Sequence, residues 1–400
     1  MATLTLDLVK NAKSPANKTC LAPFSREAVK KVRAFHQSMW GYYHATPLVS
    51  LPNLAKYLGV KSIYVKDEAG RFGLKAFKGL GGSYAIAAYL AERFGCALDF
   101  DALMALNLPE RAPHLTFATT TDGNHGRGVA WTAKILGVHA VVYMPKGARQ
   151  DRINAIKSEG AQVKVTDCNY DETVRMTARD AAANGWVIVQ DTAWTGYEEI
   201  PLHIMQGYTT MVSEALDTIK EKPTHVFVQA GVGSLAAAVA AVLANTYAEQ
   251  RPVFTIMEAE AANCYYRSFS ANRPVAVTGD LNTVMAGLAC GEVNPLAWTI
   301  LHSYSDYALS CHDEVSAVGM RVWGSPLPGD PQIIAGESGA IGGGVIGLLN
   351  KYHDIKTTLG IDKDAVLLFF NTEGDTAPAH YREVVWGGAL PASLGVDEHA

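Results

Sequence analysis

Charge is scarce in this sequence: 18% of its 400 residues are Asp, Glu, Lys or Arg, and the net charge is only −5. An average globular chain carries about 25%. No basic run occurs, nor any interleaving of basic with aromatic residues, so a nucleic-acid footprint is absent. Long apolar runs are missing too. The longest, Leu235 to Ala244, is too short and too alanine-rich to cross a bilayer, and residues 1–20 lack the apolar core of a secretory signal. Nucleic acid and membrane therefore drop out as partners, and the cytoplasm is the expected location. The six cysteines, Cys20, Cys96, Cys168, Cys264, Cys290 and Cys311, have no C-x-x-C spacing. Neither a zinc site nor a disulfide framework is signalled, no metal is expected, and most should be reduced thiols.

What is abundant is glycine, at 36 residues, within a chain that is 48% apolar. Such a composition describes a globular, glycine-punctuated protein, and 400 residues is long for one core. A helix with a serine cap is expected over 25–39, then an extended stretch at His44–Leu51. Short β-branched strands at 62–66, 115–119, 140–144, 162–165 and 186–190 alternate with helical patterns at 79–94, 124–136, 148–158 and 171–183. A second series has strands near 225–228, 253–257 and 366–370, with helices near 203–220, 234–247, 312–323 and 340–351. This alternation implies mostly parallel sheets with crossover helices. The expected fold is α/β with two lobes, 1–91 together with 197–400 forming the large one and 92–196 the small one.

Three stretches carry chemistry. Phe77-Lys78-Gly79-Leu80-Gly81-Gly82 sets a lysine between an aromatic residue and glycines where a helix begins. Phe77 lowers the ammonium's solvation and the glycines let a flat ring approach the backbone. A buried lysine loses its proton more readily, and a neutral amine is what a Schiff base requires. The plainer reading is a surface lysine at a helix start. Gly231-Val232-Gly233-Ser234-Leu235 follows a strand and opens a helix, so freed N–H groups make a phosphate cradle. A tight βα turn also accounts for it. A dinucleotide site is a third reading, but the spacing is not G-x-G-x-x-G, and only Glu258 or Glu260 could serve as the ribose acid. Thr121-Asp122-Gly123-Asn124-His125-Gly126 gathers a hydroxyl, a carboxylate and an amide at a helix start, suited to a substrate carboxylate and a ring oxygen. Asp122 could equally be a helix cap, and His125 reads as structural.

In this order F-K-x-x-G, T-D-G-N-H-G, A-G-V-G-S-L and Thr372-Glu373-Gly374-Asp375 after the last strand resemble the pyridoxal-phosphate enzymes of the tryptophan synthase β fold, fold type II. The resemblance covers nearly the whole chain. Within that group the helix start usually carries serine, and Asp122 resembles instead the diaminopropionate ammonia-lyase family. Asp191–Tyr197, Met205–Tyr208, Thr283–Leu288 and Gly336–Ala340 resemble that family as well. The resemblance implies pyridoxal 5'-phosphate held by Lys78 as a Schiff base, with Phe77, Asn124, Gly231, Val232, Gly233, Ser234, Leu235, Gly287 and Thr372 around it. Asn124 would meet the ring hydroxyl and Thr372 the ring nitrogen, Asn371 being the alternative register. Met285, Ala286 and Gly287 would form a wall, while Thr121, Asp122, Asp191 and Ser338 would meet a small amino-acid substrate. The implied reaction is α,β-elimination of D- and L-2,3-diaminopropionate to pyruvate and two ammonia, through aminoacrylate. Lys78 would take the Cα proton of the L isomer and Asp122 that of the D isomer. A homodimer is also implied. A serine or threonine dehydratase of the same fold and, in another class, a nucleotide-binding module are the alternatives.

Overall fold

Val226-Phe227-Val228 and Leu367–Phe370 place apolar side chains on both strand faces, and such strands are stable only when both faces are covered. The computed structural model of the protein describes residues 4–392 and buries these strands throughout. In chain order the strands are β1 (Leu6–Lys10), β2 (Leu48–Ser50), β3 (Ser62–Asp67), β4 (Thr116–Thr120), β5 (His139–Met144) and β6 (Gln162–Val165). They continue with β7 (Val187–Ile188), β8 (His225–Gln229), β9 (Val253–Ala259), β10 (Tyr307–Cys311) and β11 (Val366–Asn371). A seven-stranded sheet has the order β1-β10-β9-β8-β11-β3-β2, and a four-stranded sheet has the order β6-β5-β4-β7. Only the two edge strands β1 and β2 run antiparallel to their neighbours. The architecture is thus the expected mixed α/β one.

Strand alternation divides the large sheet's side chains between two cores. Val226, Val228, Leu368 and Phe370 join one, while Phe227, Leu367 and Phe369 join the other. In the second core the rings of Phe227 and Phe369 stack 4.8 Å apart. Most expected elements lie where the pattern puts them. Ser25 caps the helix Arg26–Ser38, its hydroxyl accepting from the Ala28 N–H. Residues 6–10 precede the serine-capped helix, in a stretch where the sequence pattern places no element. They form β1, because the antiparallel partner they need, Cys311 back to Tyr307, comes from the far end of the chain. Among the described residues no helix is long and apolar enough to cross a membrane.

Candidate active site

Lys78 is fixed by the two residues before it. Phe77 donates its N–H to the Thr372 carbonyl (3.1 Å), and Ala76 bridges to Glu373, so the lysine segment is tied to the end of β11. The helix Lys78–Phe94 then lies unusually close to the helix Glu199–Thr218. A Cβ on Gly207 would fall 2.4 Å from the Leu80 carbonyl oxygen, so only glycine permits this approach. Lys78 Nζ makes a short ion pair with Asp191, whose side chain is buried. The expectation that burial frees the amine of its proton is overturned here. Burial is the largest single influence and does push in that direction, but Asp191, Tyr208 and Asp122 together outweigh it and the Lys78 pKa is raised. Conversely, burial would raise Asp191, and the Lys78 charge instead holds it down at about 2.

The glycine loop joins β8 to the helix Ser234–Tyr247. Gly233 is left-handed at φ +96°, and a Cβ there would fall 2.1 Å from the Tyr265 hydroxyl. Among the described residues the N–H groups from Gly231 to Ala236 donate to no protein acceptor. The Ser234 hydroxyl is already committed, donating to the Asp191 carbonyl (2.6 Å) and accepting from Asn294 (2.9 Å). Glu258, the candidate ribose acid, is already committed. Both its oxygens accept N–H groups, from Tyr265 (2.8 Å) and Tyr266 (2.7 Å), at the start of the next helix. The dinucleotide reading thereby loses its acid, since exposed Glu260 faces His312 instead.

The cap reading of Asp122 fails for a different reason. The helix Asn124–Ile135 receives no side-chain cap from Gly123, and it is the Thr121 hydroxyl that accepts from the N–H groups of Gly123 (2.8 Å) and Gly126 (3.0 Å). Thr121 does not line the cavity, because its oxygen is spent on that turn. The Asp122 carboxylate is left facing the cavity with 23% of its side chain open. Burial raises its pKa above the ordinary range, against the pull of Arg152 and Lys78.

One inner cavity brings together Phe77, Lys78, Asp122, Asn124, Asp191, the loop Gly231–Leu235, Gly287, Ser338 and Thr372. Asn124 donates to Glu373 Oε2, Ser338 accepts from the Gly287 N–H (3.0 Å), and Thr372 accepts from Gln229 Nε2 (2.8 Å). Asn371 instead donates to Asp67 (2.8 Å), so Thr372 is the one of the pair that reaches the cavity. Met285 is fully buried in the core and Ala286 faces a neighbouring outer cavity, so Gly287 alone of that expected wall reaches the inner one. Sequence reasoning missed Tyr170, Gln229, Cys290 and Glu373 on the inner wall. Glu373 lay within a recognised motif, whereas Tyr170 has no local signal at all. The outer cavity, about 320 Å³, meets the inner one at Asp122 and Tyr170 and adds Arg152, Glu337 and His380.

The donor set fits a phosphorylated ring aldehyde. Unpaired N–H groups at a helix start suit a phosphate dianion, and the buried Gln229 Oε1 has no protein partner among the described residues.

Comparison with known proteins bears on these features together. Residues 39–325 match the family described as pyridoxal-phosphate dependent enzyme. The chain is 51% identical over 373 residues to diaminopropionate ammonia-lyase of Escherichia coli strain K12, covering 91% of this chain and 93% of that protein. It is similar to the crystal structure of the Escherichia coli lyase in complex with D-serine, with a TM-score of 0.91, 46% identity and coverage of 98% and 99%. The structure of that lyase with an aminoacrylate-PLP azomethine reaction intermediate matches with a TM-score of 0.88, 46% identity and coverage of 97% and 98%.

Proposed function

The chain belongs to the pyridoxal-phosphate-dependent enzymes and, among them, to the diaminopropionate ammonia-lyase family, and we propose that it eliminates ammonia from D- and L-2,3-diaminopropionate, giving pyruvate and a second ammonia. This membership favours the lyase over the dehydratase, and it removes the nucleotide-binding alternative.

Pyridoxal phosphate, when bound, supplies the electron sink for the pair released as the Cα–H bond breaks. In our reading Lys78 holds it through Nζ, and the free N–H groups of Gly231, Val232, Gly233, Ser234 and Leu235 take its phosphate. Asn124 would meet the ring hydroxyl and Thr372 the ring nitrogen, while Phe77 and Gly287 flank the ring. A threonine hydroxyl holds no pyridinium charge, which favours elimination over transamination. Asp191, which pairs with the Lys78 ammonium, would exchange that partner for the substrate amine. Ser338 would orient the substrate, and Thr121 would act by shaping the turn that carries Asp122. Lys78 would then take the Cα proton of the L isomer and Asp122 that of the D isomer. We further infer a cytoplasmic homodimer, with lobes divided near residues 91 and 197.

The observation that carries this reading is the Asp122 carboxylate, which caps no helix and faces the same cavity as Lys78. Asp122→Asn keeps the size and removes the base. Turnover of the D isomer, followed by pyruvate release, should fall about a hundredfold or more, the usual scale of general-base catalysis. The L isomer should lose less. Equal and intact turnover of both isomers would leave Asp122 without a role.

A further inference from the structure

Asp122 does not face the cavity unaided. Arg152, from the helix Gln150–Ser158, is nearly buried and grips the Asp122 turn at three points. Its Nη1 donates to the Asp122 carbonyl (3.4 Å) and lies 3.7 Å from the carboxylate. Its stem packs on Gly123 so closely that a Cβ there would meet Arg152 Cδ at 3.1 Å. The other end of the guanidinium, Nη2, lies 3.7 Å from Glu337, which in turn lies 3.7 Å from His380 Nε2. Ser338, the residue after Glu337, donates its N–H to Glu373 (2.9 Å), and both line the inner cavity, so the far anchor of Arg152 adjoins that wall.

We infer that Arg152 is a positioning residue for the reaction of one isomer: braced by Glu337, it aims the Asp122 carboxylate into the cavity and keeps it ionised as a base. This inference rests on the reading of Asp122 as the base for the D isomer. The other groups facing Asp122 make Arg152 the cation that matters. Lys78 is the other cation, among the described residues, named as acting on Asp122, and it is paired with Asp191 and, in that reading, committed to the cofactor. Glu373 opposes ionisation, and Tyr170 and Cys290, which also face Asp122, are held neutral by burial. A buried carboxylate with no such cation stays protonated and cannot take a proton.

The test uses holoenzyme and compares Arg152→Met, Arg152→Gln and Arg152→Lys with Asp122→Asn, measuring kcat against pH for each isomer. Cα–H exchange of D-alanine and L-alanine in heavy water, read by NMR, isolates the proton step from elimination. Removing the cation lets the Asp122 pKa rise, so the acid limb of the D-isomer profile should move up by about one to three pH units, the usual effect of one close opposite charge. Below the new limb D turnover and D-alanine exchange fall roughly tenfold per unit, while the L-isomer limb stays in place. Arg152→Lys keeps the charge without the fork and should restore most of the limb. The two neutral variants guard against one of them failing to fold, which the cofactor's visible absorption reports. A D-isomer limb that stays in place in either neutral variant, or a fall shared equally by both isomers, would overturn the inference. If Asp122→Asn itself spares the D isomer, the base assignment falls first, and that result is separate from any Arg152 outcome.

Discussion

At the scale of the residue, the Lys78–Asp191 pair shows how a correct local argument reverses in context. Burial does desolvate the lysine, whose Nζ lies 5.6 Å from the centre of the Phe77 ring, as its sequence neighbour suggests. Asp191 lies 113 residues away, and together with Tyr208 and Asp122 it more than offsets that desolvation. The pair bears on the pH dependence of cofactor capture. Attack on an aldehyde needs the neutral amine, and Lys78 has its pKa raised, so the neutral fraction is small until the solution is strongly basic. Asp191→Asn removes the charge that raises it. The acid limb of cofactor capture by the cofactor-free protein should then move to lower pH, read from the rate at which the visible band grows after mixing with pyridoxal phosphate. A limb that stays put would mean that Asp191 does not govern the lysine's protonation.

At the scale of the element, the βα turn after β8 converts strand geometry into a phosphate cradle. Its weak point is Gly233, where a side chain would be strained twice, by the left-handed backbone and by the Tyr265 hydroxyl that donates to the Val232 carbonyl (3.0 Å). An L-residue forced into that region pays about 1–2 kcal/mol, and the displaced tyrosine adds to it. Gly233→Ala should therefore weaken cofactor binding at least about tenfold by titration, a factor worth about 1.4 kcal/mol, while the sheets stay folded. Unchanged affinity would move the phosphate elsewhere. Elements of this kind were legible because glycine spacing and strand endings are local signals. The helix at Ser234 and the strand at His225 begin where the pattern places them. Strands β1 and β10 were not legible, since Leu6–Lys10 is stable only against a partner some 300 residues on. The same limit applies inside the cavity. Asp122, Asn124 and the glycine loop announce themselves by helix starts, whereas Tyr170 and Cys290 reach the wall from a helix and a loop whose sequences show nothing unusual. Arg152 is likewise an ordinary helical arginine until Asp122 folds against it.

At the scale of the whole molecule, the position of Lys78 depends on a charged cluster buried well outside the active cavity. Lys66 at the end of β3, Glu68 and Arg71 in the following turn, and Glu214 from the helix Glu199–Thr218 are all 3% exposed or less. Arg71 donates to Glu68 (2.8 Å) and to Glu214 (2.7 Å), and Lys66 donates to Glu214 (2.5 Å). Tyr43 donates to Glu214 as well (2.7 Å), and the Thr46 hydroxyl donates to Glu68, which ties in the chain ahead of β2. The cluster thus clamps the segment that runs from β3 into Lys78 onto the helix that packs against Lys78's own. Such clusters add little net stability when complete, because desolvation offsets attraction, but breaking one partner is costly, about 3–5 kcal/mol. Glu214→Gln leaves Lys66 and Arg71 short of a counter-charge and should lower stability by that amount near pH 7, a large share of the ordinary 5–15 kcal/mol. The pH dependence fixes the cause. Burial alone would raise the Glu214 pKa, but Arg71 and then Lys66 hold it below its ordinary value of 4.5. A carboxylate depressed in the folded state stabilises fully above its unfolded pKa and loses that contribution as pH falls below it. The gap between the natural chain and Glu214→Gln, measured by denaturant unfolding, should therefore be widest near neutrality and close as the solution is acidified below about pH 4.5. A gap of constant size across that range would assign the loss to packing and not to the charge, and the clamp on Lys78 would have to be sought in the close helix contact at Gly207 instead.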